Sequence, residues 1–253
     1  MWSKQKRGIV MEECHYMKKL SVKRISALPM TAEGVGEVLD AARIGWKKME
    51  HANWSDRYPY VPEVNFRIAH TGDHILLQYQ VTEEAVRFAA VNDGGAVWED
   101  SCCEFFIHDA DTLLYNNVEC NCMGTLLMAV GRERNNRQML SSDEMRSIKR
   151  WSSLCGVFRG QGRCADKSPD DVQSPDDVQN DRQDPYEWTL MLIIPVSLLF
   201  DHRLRDISGM SFRANFYKCG DLLPHPHFLS WNAVNIPQPD FHRPDQFGML
   251  TFD

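Results

Sequence analysis

The chain has 253 residues, of which 43% are hydrophobic, and its 28 Lys and Arg residues against 35 Asp and Glu residues give a net charge of −7. This size allows one large domain or two small ones with an ordinary hydrophobic core. We expect no nucleic acid partner, because phosphate binding needs a basic stripe, and no membrane partner, because no run approaches the roughly 18 apolar residues of a membrane span.

The N-terminal segment indicates the compartment. It begins with a basic stretch, but the apolar run Gly8-Ile9-Val10 is far too short for the core of a signal peptide. We therefore expect a cytoplasmic protein. Residues 1–45 are expected to be an N-terminal extension and packing segment, in which Met17 would make a natural alternative start.

The elements of the first half come in a clear order. Residues 31–39 could start a short helix, and the aromatic, proline-bearing stretch 54–62 resembles a loop. Apolar and polar residues alternate over 75–81, which predicts a strand. Asn92-Asp93-Gly94-Gly95 is a strong turn signal. Further strands are predicted at 101–108, 115–121 and 125–130.

The second half continues this pattern after an irregular or helix-like stretch at 136–151. A strand is predicted at 186–194, and one or two helical turns at 197–204. The last strands are predicted at 211–218, 227–231 and 248–252. Many short strands separated by Gly, Pro and Asn turns are typical of a β-sandwich.

One insertion interrupts the strand pattern. Ser168-Pro169-Asp170-Asp171-Val172-Gln173 is repeated at once as residues 174–179. The copy is polar, acidic and proline-bearing, so residues 163–184 are predicted to be a disordered loop between two strands. Strand patterning resumes after the copy, which argues against a domain boundary.

The eight cysteines, at positions 14, 102, 103, 120, 122, 155, 164 and 219, allow disulfides by their even number. Without a signal peptide, reduced thiols are favoured, and we expect all eight to be free. Cys120 and Cys122 lie on one face of a predicted strand, where core packing is favoured over a zinc site.

Strand alternation sorts the polar side chains of three predicted strands by face. Each strand presents an apolar face and an opposite face that carries hydrogen-bonding groups. In one sheet these groups would line a common surface, formed by Glu104, Glu119, Asn121, Arg213, Asn215 and Tyr217. A solvated outer face is the default for an antiparallel sheet. We favour a site, because a plain solvated face would show Lys, Thr and Ser instead.

The stretch 96–107 carries the strongest functional signal. Trp98 stands at the mouth of a strand, and Glu104 lies inside a run that is otherwise apolar. Burying an unpaired polar group costs roughly 2–7 kcal/mol, so a cation, backbone donors or a ligand rich in hydroxyls must compensate. An aromatic ring beside a fixed carboxylate suits a sugar, because the ring covers the C–H face and the carboxylate accepts from hydroxyls.

Two motifs, in this order, make the chain resemble carbohydrate-binding module family 9, and most closely its stand-alone bacterial branch. The first motif is Val97-Trp98-Glu99-Asp100-Ser101-x-x-Glu104-x-Phe106-Ile107. The second joins Ser230-Trp231 with Phe241-His242-Arg243-Pro244-x-x-Phe247-Gly248-x-Leu250. The resemblance runs from about residue 50 to the end. It implies an all-β fold over residues 46–253, a two-sheet antiparallel sandwich with a few short helices.

The resemblance also implies a non-catalytic site that clamps a mono-, oligo- or polysaccharide between two aromatic rings, often with bound calcium. By position, Trp98 would be one ring and Phe241, where the family's sugar binder has Trp, the other. Glu104 and Asn215 would bond sugar hydroxyls. Glu119 stands where that binder has a basic residue. The full set of expected ligand-binding residues is Trp98, Glu104, Glu119, Asn121, Asn215, Tyr217, Gln238 and Phe241.

Two other functions stay open at this point. A glycoside hydrolase could use Glu104 and Glu119 as acid and base. A haem- or metal-binding sandwich of the related DOMON type would need an axial Met or His pair, which nothing singles out. The spacing of His225, His227 and His242 matches no standard metal motif. Charged residues such as Lys218 are expected at the surface.

The predicted disorder of the tandem copy can be tested by deletion. Deleting residues 168–179 should leave the melting temperature nearly unchanged, because a disordered loop contributes few contacts to the folded state. Thermal unfolding of the deletion variant and the wild-type chain measures this. A drop of many degrees would show that the segment is packed.

Overall fold

The structure is a computed structural model that describes residues 17–158 and 184–253. Within these ranges, two β-sheets pack around one hydrophobic core. The predicted fold class, a mostly antiparallel two-sheet sandwich with a few short helices, is confirmed. The described part of the predicted loop at 163–184 is Asp184 alone, and residues 1–16 also lie outside the described ranges.

The larger sheet carries the candidate site. Its strands are β1 (Lys19–Val22), β3 (His51–Ala52), β6 (Cys102–His108), β7 (Tyr115–Asn121), β8 (Leu126–Gly131), β9 (Gln138–Met139), β12 (Ser211–Cys219), β13 (Phe228–Ser230) and β14 (Gly248–Phe252). Their order is β1-β14-β12-β6-β7-β8-β9, with β13 beside β12 and β3 beside β13. Strands β6, β7 and β12, whose polar faces were expected to form one surface, are therefore neighbours.

The smaller sheet closes the other side of the core. Its strands are β2 (Lys47–Lys48), β4 (Glu63–His70), β5 (His74–Glu83), β10 (Lys149–Ser152) and β11 (Tyr186–Pro195). Their order is β10-β11-β5-β4-β2. Strand β10 and the short strand β9 lie in the stretch whose sequence indicates irregular or helical structure.

Short helices connect the strands. They are α1 (Val35–Ala41), α2 (Ser142–Ser147) and α3 (Ser153–Phe158), with single 3-10 turns at Ala32–Gly34, Val97–Glu99, Val196–Leu198 and Pro244–Gln246. Helix α2 begins with a capping box, in which Ser141 and Glu144 bond each other's backbone. In the described part of the chain, none of the helices has the length and apolar character needed to traverse a bilayer.

Residues 17–45 pack against the sandwich. Strand β1 pairs in parallel with β14, from Lys19 opposite Met249 to Val22 opposite Phe252. Helix α1 buries Val35 and Leu39 against the outer face of the smaller sheet. This part of the N-terminal segment is therefore an edge strand and a covering helix of the same sandwich.

Aromatic rings join the two sheets at the centre of the core. Phe216 on β12 stacks on Phe66 of the smaller sheet at a centroid distance of 3.8 Å, and on Phe105 of β6 at 5.1 Å. Trp231 is 5% exposed and packs its ring edge-on to Phe66 and Phe216. The expectation that Trp231 is a core residue is confirmed.

The described cysteines agree with the expectation, with one exception. Cys102, Cys103, Cys120, Cys122 and Cys219 are free and buried. Cys120 and Cys122 belong to the core between the sheets, as predicted. The expectation of eight free thiols is wrong at position 155, where the cysteine is disulfide-bonded. That expectation rests on the N-terminal sequence, which does not report on side-chain pairing. Positions 14 and 164 lie outside the described residues.

A charged cluster lies inside the sandwich. Lys218 is fully buried, against the expectation of a surface charge, because its Nζ forms an ion pair with Glu83 Oε2 at 2.8 Å and lies 2.8 Å from His227 Nε2. Burial and the Lys218 charge lower the pKa of His227 to about 2, so this ring is neutral and accepts from the lysine. Glu83 also accepts from Trp188 Nε1 at 2.8 Å.

The Lys218–Glu83 ion pair predicts that a single substitution lowers the free energy of unfolding more than the double substitution does. Lys218→Met should lower the free energy of unfolding by roughly 3–5 kcal/mol, because it leaves the Glu83 charge buried without its partner. Adding Glu83→Gln removes that charge, so the double variant should be more stable than Lys218→Met alone. Urea unfolding of the three proteins measures this. A double variant that is no more stable than Lys218→Met alone would contradict the argument.

Candidate functional site

A cavity of about 790 Å³ opens over the outer face of the larger sheet. Aromatic and ionisable side chains line it together. The aromatic members are Tyr58, Trp98, Phe228 and Phe241, and the ionisable or amide members are Glu104, Asn117, Glu119, Arg134, Asn135, Asn136, Arg137, Cys219, Asp221, Asp240 and His242. Four of the eight residues expected from sequence, Trp98, Glu104, Glu119 and Phe241, are among them.

Sheet register explains why the two glutamates meet. Glu104 on β6 lies directly opposite Glu119 on β7, and opposite Tyr217 on β12. Directly opposite residues of an antiparallel pair have Cβ atoms about 4.5–5.5 Å apart and point to the same face. The two carboxyl groups therefore share the floor of the cavity.

Hydrogen bonds fix both carboxyl groups of the floor. Cys219 Sγ donates to Glu104 Oε1 at 2.9 Å, and Asn117 Nδ2 donates to Glu119 Oε1 at 2.6 Å. Behind the floor, the Tyr79 hydroxyl of the smaller sheet donates to the backbone oxygen of Glu104 at 2.9 Å. The position of Glu104 is thus tied directly to the core.

Burial favours the protonated form of the carboxyl groups of the floor. Burial, and then the neighbouring Glu119 carboxylate, raise the pKa of Glu104 well above its usual value. Burial raises the pKa of Glu119 to about 7, and burial together with Glu99 raises the pKa of Asp221 to about 6. A neutral carboxyl group both donates and accepts hydrogen bonds. At neutral pH the floor therefore offers donors as well as acceptors.

One wall of the cavity is the 3-10 turn that carries Trp98. The Trp98 side chain is 39% exposed, which fits a ring that meets a ligand. Its turn is bonded to the turn after β12, since Asp221 N donates to Trp98 O and Leu222 N donates to Glu99 O, both at 3.2 Å. The wall is therefore held by backbone bonds.

Another aromatic surface of the cavity is Phe241, in the connection between β13 and β14. Its ring stacks on Tyr217 at a centroid distance of 4.0 Å and an angle of 11° between the rings. Trp54 and Phe228 pack around it at 5.8 and 6.0 Å. Phe241 is consequently 8% exposed. It presents much less surface to the cavity than Trp98.

The other four expected residues do not line the cavity. Tyr217 lies beneath Phe241 and donates to its backbone oxygen at 3.3 Å. Gln238 lies outside the cavity and accepts from Arg57 Nη1 at 3.1 Å. We therefore do not assign either of them to ligand contact.

The remaining two expected residues, Asn121 and Asn215, form hydrogen bonds to loop groups. Asn121 Nδ2 donates to Ala90 O and Asp100 Oδ2, both at 2.9 Å. Asn215 Nδ2 donates to Asn232 O at 2.9 Å, and its Oδ1 accepts from Asn232 N at 2.8 Å. The amide of Asn215 thus pairs with a loop residue as a strand backbone would, and both side chains are used structurally.

Sequence reasoning missed the basic wall, because it lies in loops without periodicity. Arg137 lies over the Tyr115 ring at 4.7 Å, with Nη1 2.8 Å from His242 Nδ1. Burial, then Arg137, lowers the pKa of His242 to about 3, so its ring is neutral. Arg134 contacts Asp240 at 3.2 Å. Guanidinium groups therefore line the same cavity as the floor of carboxyl groups.

One metal-like group stands out among the described residues. The ligand atoms of Cys102, Glu104 and Cys219 all lie within 4.8 Å of one another. Calcium takes six to eight oxygen ligands, so this sulfur-rich set does not suit it. Bound calcium, which the resemblance implied, stays a prediction.

A two-sheet sandwich with an aromatic and polar cavity on one outer face defines the class of carbohydrate-binding modules. The profile of carbohydrate-binding family 9 matches residues 33–168 and 170–252. The chain belongs to this family. Among curated proteins, no relative matches the chain.

Solved structures agree with this assignment. The chain is similar to a candidate carbohydrate-binding protein from Bacteroides uniformis, with 40% identity, a TM-score of 0.81, and coverage of 94% of this chain and 100% of that one. A family 9 module from Caldicellulosiruptor kristjanssonii in complex with glucose shares the fold at 11% identity and a TM-score of 0.50, covering 93% and 96% of the two chains. A family 9 module from the same organism in complex with cellotriose shares the fold at 10% identity and a TM-score of 0.51, covering 93% of each chain.

The raised pKa of Glu119 predicts how stability changes with pH. The folded state keeps this proton after the unfolded chain has lost it, so the wild type loses stability as pH rises from about 4.5 to about 7. Glu119→Gln cannot ionise and should remove this loss. It should gain on the order of 2–3 kcal/mol over wild type at pH 8, and little at pH 4.

Chemical denaturation across this pH range measures the difference. Glu63→Gln, at an exposed position on β4, is the matched control and should show the wild-type profile. Parallel profiles of Glu119→Gln and wild type would contradict the buried, protonated state of the floor.

Proposed function

We propose that the cavity binds a mono-, oligo- or polysaccharide and does not convert it chemically. The observation that carries this proposal is the half-exposed Trp98 ring beside the floor of buried carboxyl groups. The family and the two Caldicellulosiruptor structures, in complex with glucose and with cellotriose, support the same ligand class.

The chemistry of a pyranose suits these two surfaces. One face of the sugar ring is made of C–H groups, which the Trp98 indole would cover. The hydroxyls around the ring both donate and accept, as do the neutral carboxyl group of Glu104, the partly protonated carboxyl group of Glu119 and the amide of Asn117. Arg137, which lines the same cavity, adds a charged donor.

The two aromatic surfaces of the proposed clamp are unequal. Trp98 is 39% exposed, whereas Phe241 is 8% exposed because Tyr217, Trp54 and Phe228 surround it. Apolar contact stabilises roughly in proportion to the area that leaves water. Trp98 therefore supplies most of the stacking, and Phe241 closes the other side of the clamp.

We expect Trp98→Ala to weaken sugar binding about tenfold or more, because lost stacking is worth about 1–2 kcal/mol. Glu104→Gln should weaken binding as well, since it replaces one of the carboxyl groups proposed to bond the sugar hydroxyls. A glycan array on the purified protein identifies the ligand, and calorimetry on the variants then gives the affinities.

Leu222→Ala is the matched control for Trp98→Ala. Leu222 is 56% exposed on the adjoining turn and does not line the cavity, so its truncation should leave the affinity unchanged. Equal affinities of wild type and Trp98→Ala would contradict the proposal. Turnover of aryl glycosides by the wild type, abolished by Glu104→Gln and by Glu119→Gln, would instead establish the hydrolase.

A further inference from the structure

Two cysteines and a glutamate meet at the floor of the cavity. Cys102 on β6 lies directly opposite Cys219 on β12, and Glu104 is two residues further along β6 on the same face. All three side chains are buried. Their ligand atoms lie within 4.8 Å of one another, and Cys219 Sγ is 2.9 Å from Glu104 Oε1.

We propose that Cys102, Cys219 and Glu104 form a binding site for a single thiophilic divalent cation of the zinc type. Zinc takes thiolate sulfur at about 2.3 Å and carboxylate oxygen at about 2.0–2.2 Å in a tetrahedral arrangement. Such a tetrahedron separates its ligand atoms by about 3.5 Å. The three ligand atoms lie within 4.8 Å of one another, and Glu104 Oε1, now 2.9 Å from the Cys219 sulfur, would move slightly away from it to reach this spacing.

The cavity provides the fourth position. Glu104 and Cys219 line the cavity, whereas Cys102 lies behind them. A cation held by the three side chains would thus face the cavity on its open side. Water or another oxygen ligand can complete the tetrahedron there, as in zinc sites with three protein ligands.

A second cross-strand cysteine pair lacks the features that suit the Cys102–Cys219 pair to metal binding. Cys103 on β6 lies opposite Cys120 on β7, on the inner face of the same sheet. That pair lies in the apolar core between the sheets and does not line the cavity. The outer pair differs in its neighbouring carboxyl group and in its access to the cavity.

Binding exchanges protons for the cation. Burial raises the pKa of Cys102 to about 12 and holds Glu104 protonated, so the cluster without metal carries two thiols and one carboxylic acid. The cation displaces three protons, and the resulting centre of two thiolates, one carboxylate and one divalent ion has a net charge of minus one. No electron is transferred. Arg134 and Arg137 line the same cavity and carry the opposite charge to this negative centre.

Cobalt and zinc salts alone, with a non-thiol reductant present, test the site on the full chain. The wild type should bind one Co²⁺, with a thiolate-to-cobalt charge-transfer band and the visible absorption of tetrahedral cobalt, and Zn²⁺ should displace it. Cys102→Ala/Cys219→Ala should lose the band. Glu104→Gln should weaken cobalt binding about tenfold or more.

Cys103→Ala/Cys120→Ala is the matched control, since it removes two buried cysteines from the same sheet and should keep the band. Circular dichroism checks that each variant is folded. If Cys102→Ala/Cys219→Ala does not fold, two other measurements decide. One is cobalt binding by Glu104→Gln, and the other is the alkylation of thiols with and without Zn²⁺. Bound Zn²⁺ should protect Cys102 and Cys219 from the alkylating reagent.

Three results would overturn the site: no band in the wild type, an equal band in Cys102→Ala/Cys219→Ala, or a Cys102–Cys219 crosslink that persists under reductant in the folded protein. The metal site does not depend on the proposed sugar binding. Trp98→Ala should weaken the sugar and leave the cobalt spectrum unchanged, so failure of one proposal is distinguishable from failure of the other.

Discussion

The cavity depends on one amide that holds a loop against the sheet. The Asn215 side chain pairs with both backbone groups of Asn232, and so fixes the start of the segment that runs to β14. Further along this segment, Phe241 stacks on Tyr217. Because both anchors, Asn215 and Tyr217, project from β12, the outer face of the sheet is covered on one side and left open above Glu104 and Glu119. Without this cover the face would be solvated, as the outer faces of antiparallel sheets usually are.

The same cover explains the chemistry of the floor. Two carboxyl groups placed opposite each other on neighbouring strands would repel if both were ionised, and burial adds to this cost. At neutral pH the fold retains Glu104 as a neutral acid and Glu119 as a partly protonated one, with Cys219 and Asn117 as donors and with arginines lining the same cavity. The polar floor is therefore stable in the folded protein while much of its hydrogen-bonding capacity remains open to the cavity.

Local alternation made the strands of the site predictable from sequence, whereas the long-range contacts of its side chains were not. The bounds of β6, β7 and β12 are predicted to within about a residue, because apolar and polar residues alternate there. Alternation also places Glu104, Glu119, Asn121 and Asn215 on one face, but a face does not reveal a partner. The partners of Asn121 and Asn215 are loop groups many residues away, and Arg137 belongs to no periodic pattern. Lys218 resembles a surface charge in the sequence because its partner, Glu83, lies in the other sheet.

The backbone bonds behind Trp98 have a consequence for recognition. Two turns from distant parts of the chain are tied together by Asp221 N to Trp98 O and Leu222 N to Glu99 O, and this link exists in the free protein. Ordering a loose side chain or loop on association commonly costs about 0.5–1.5 kcal/mol per side chain. A preorganised turn avoids most of that entropy loss. The ordering of the wall therefore adds little to the free-energy cost of binding a ligand there.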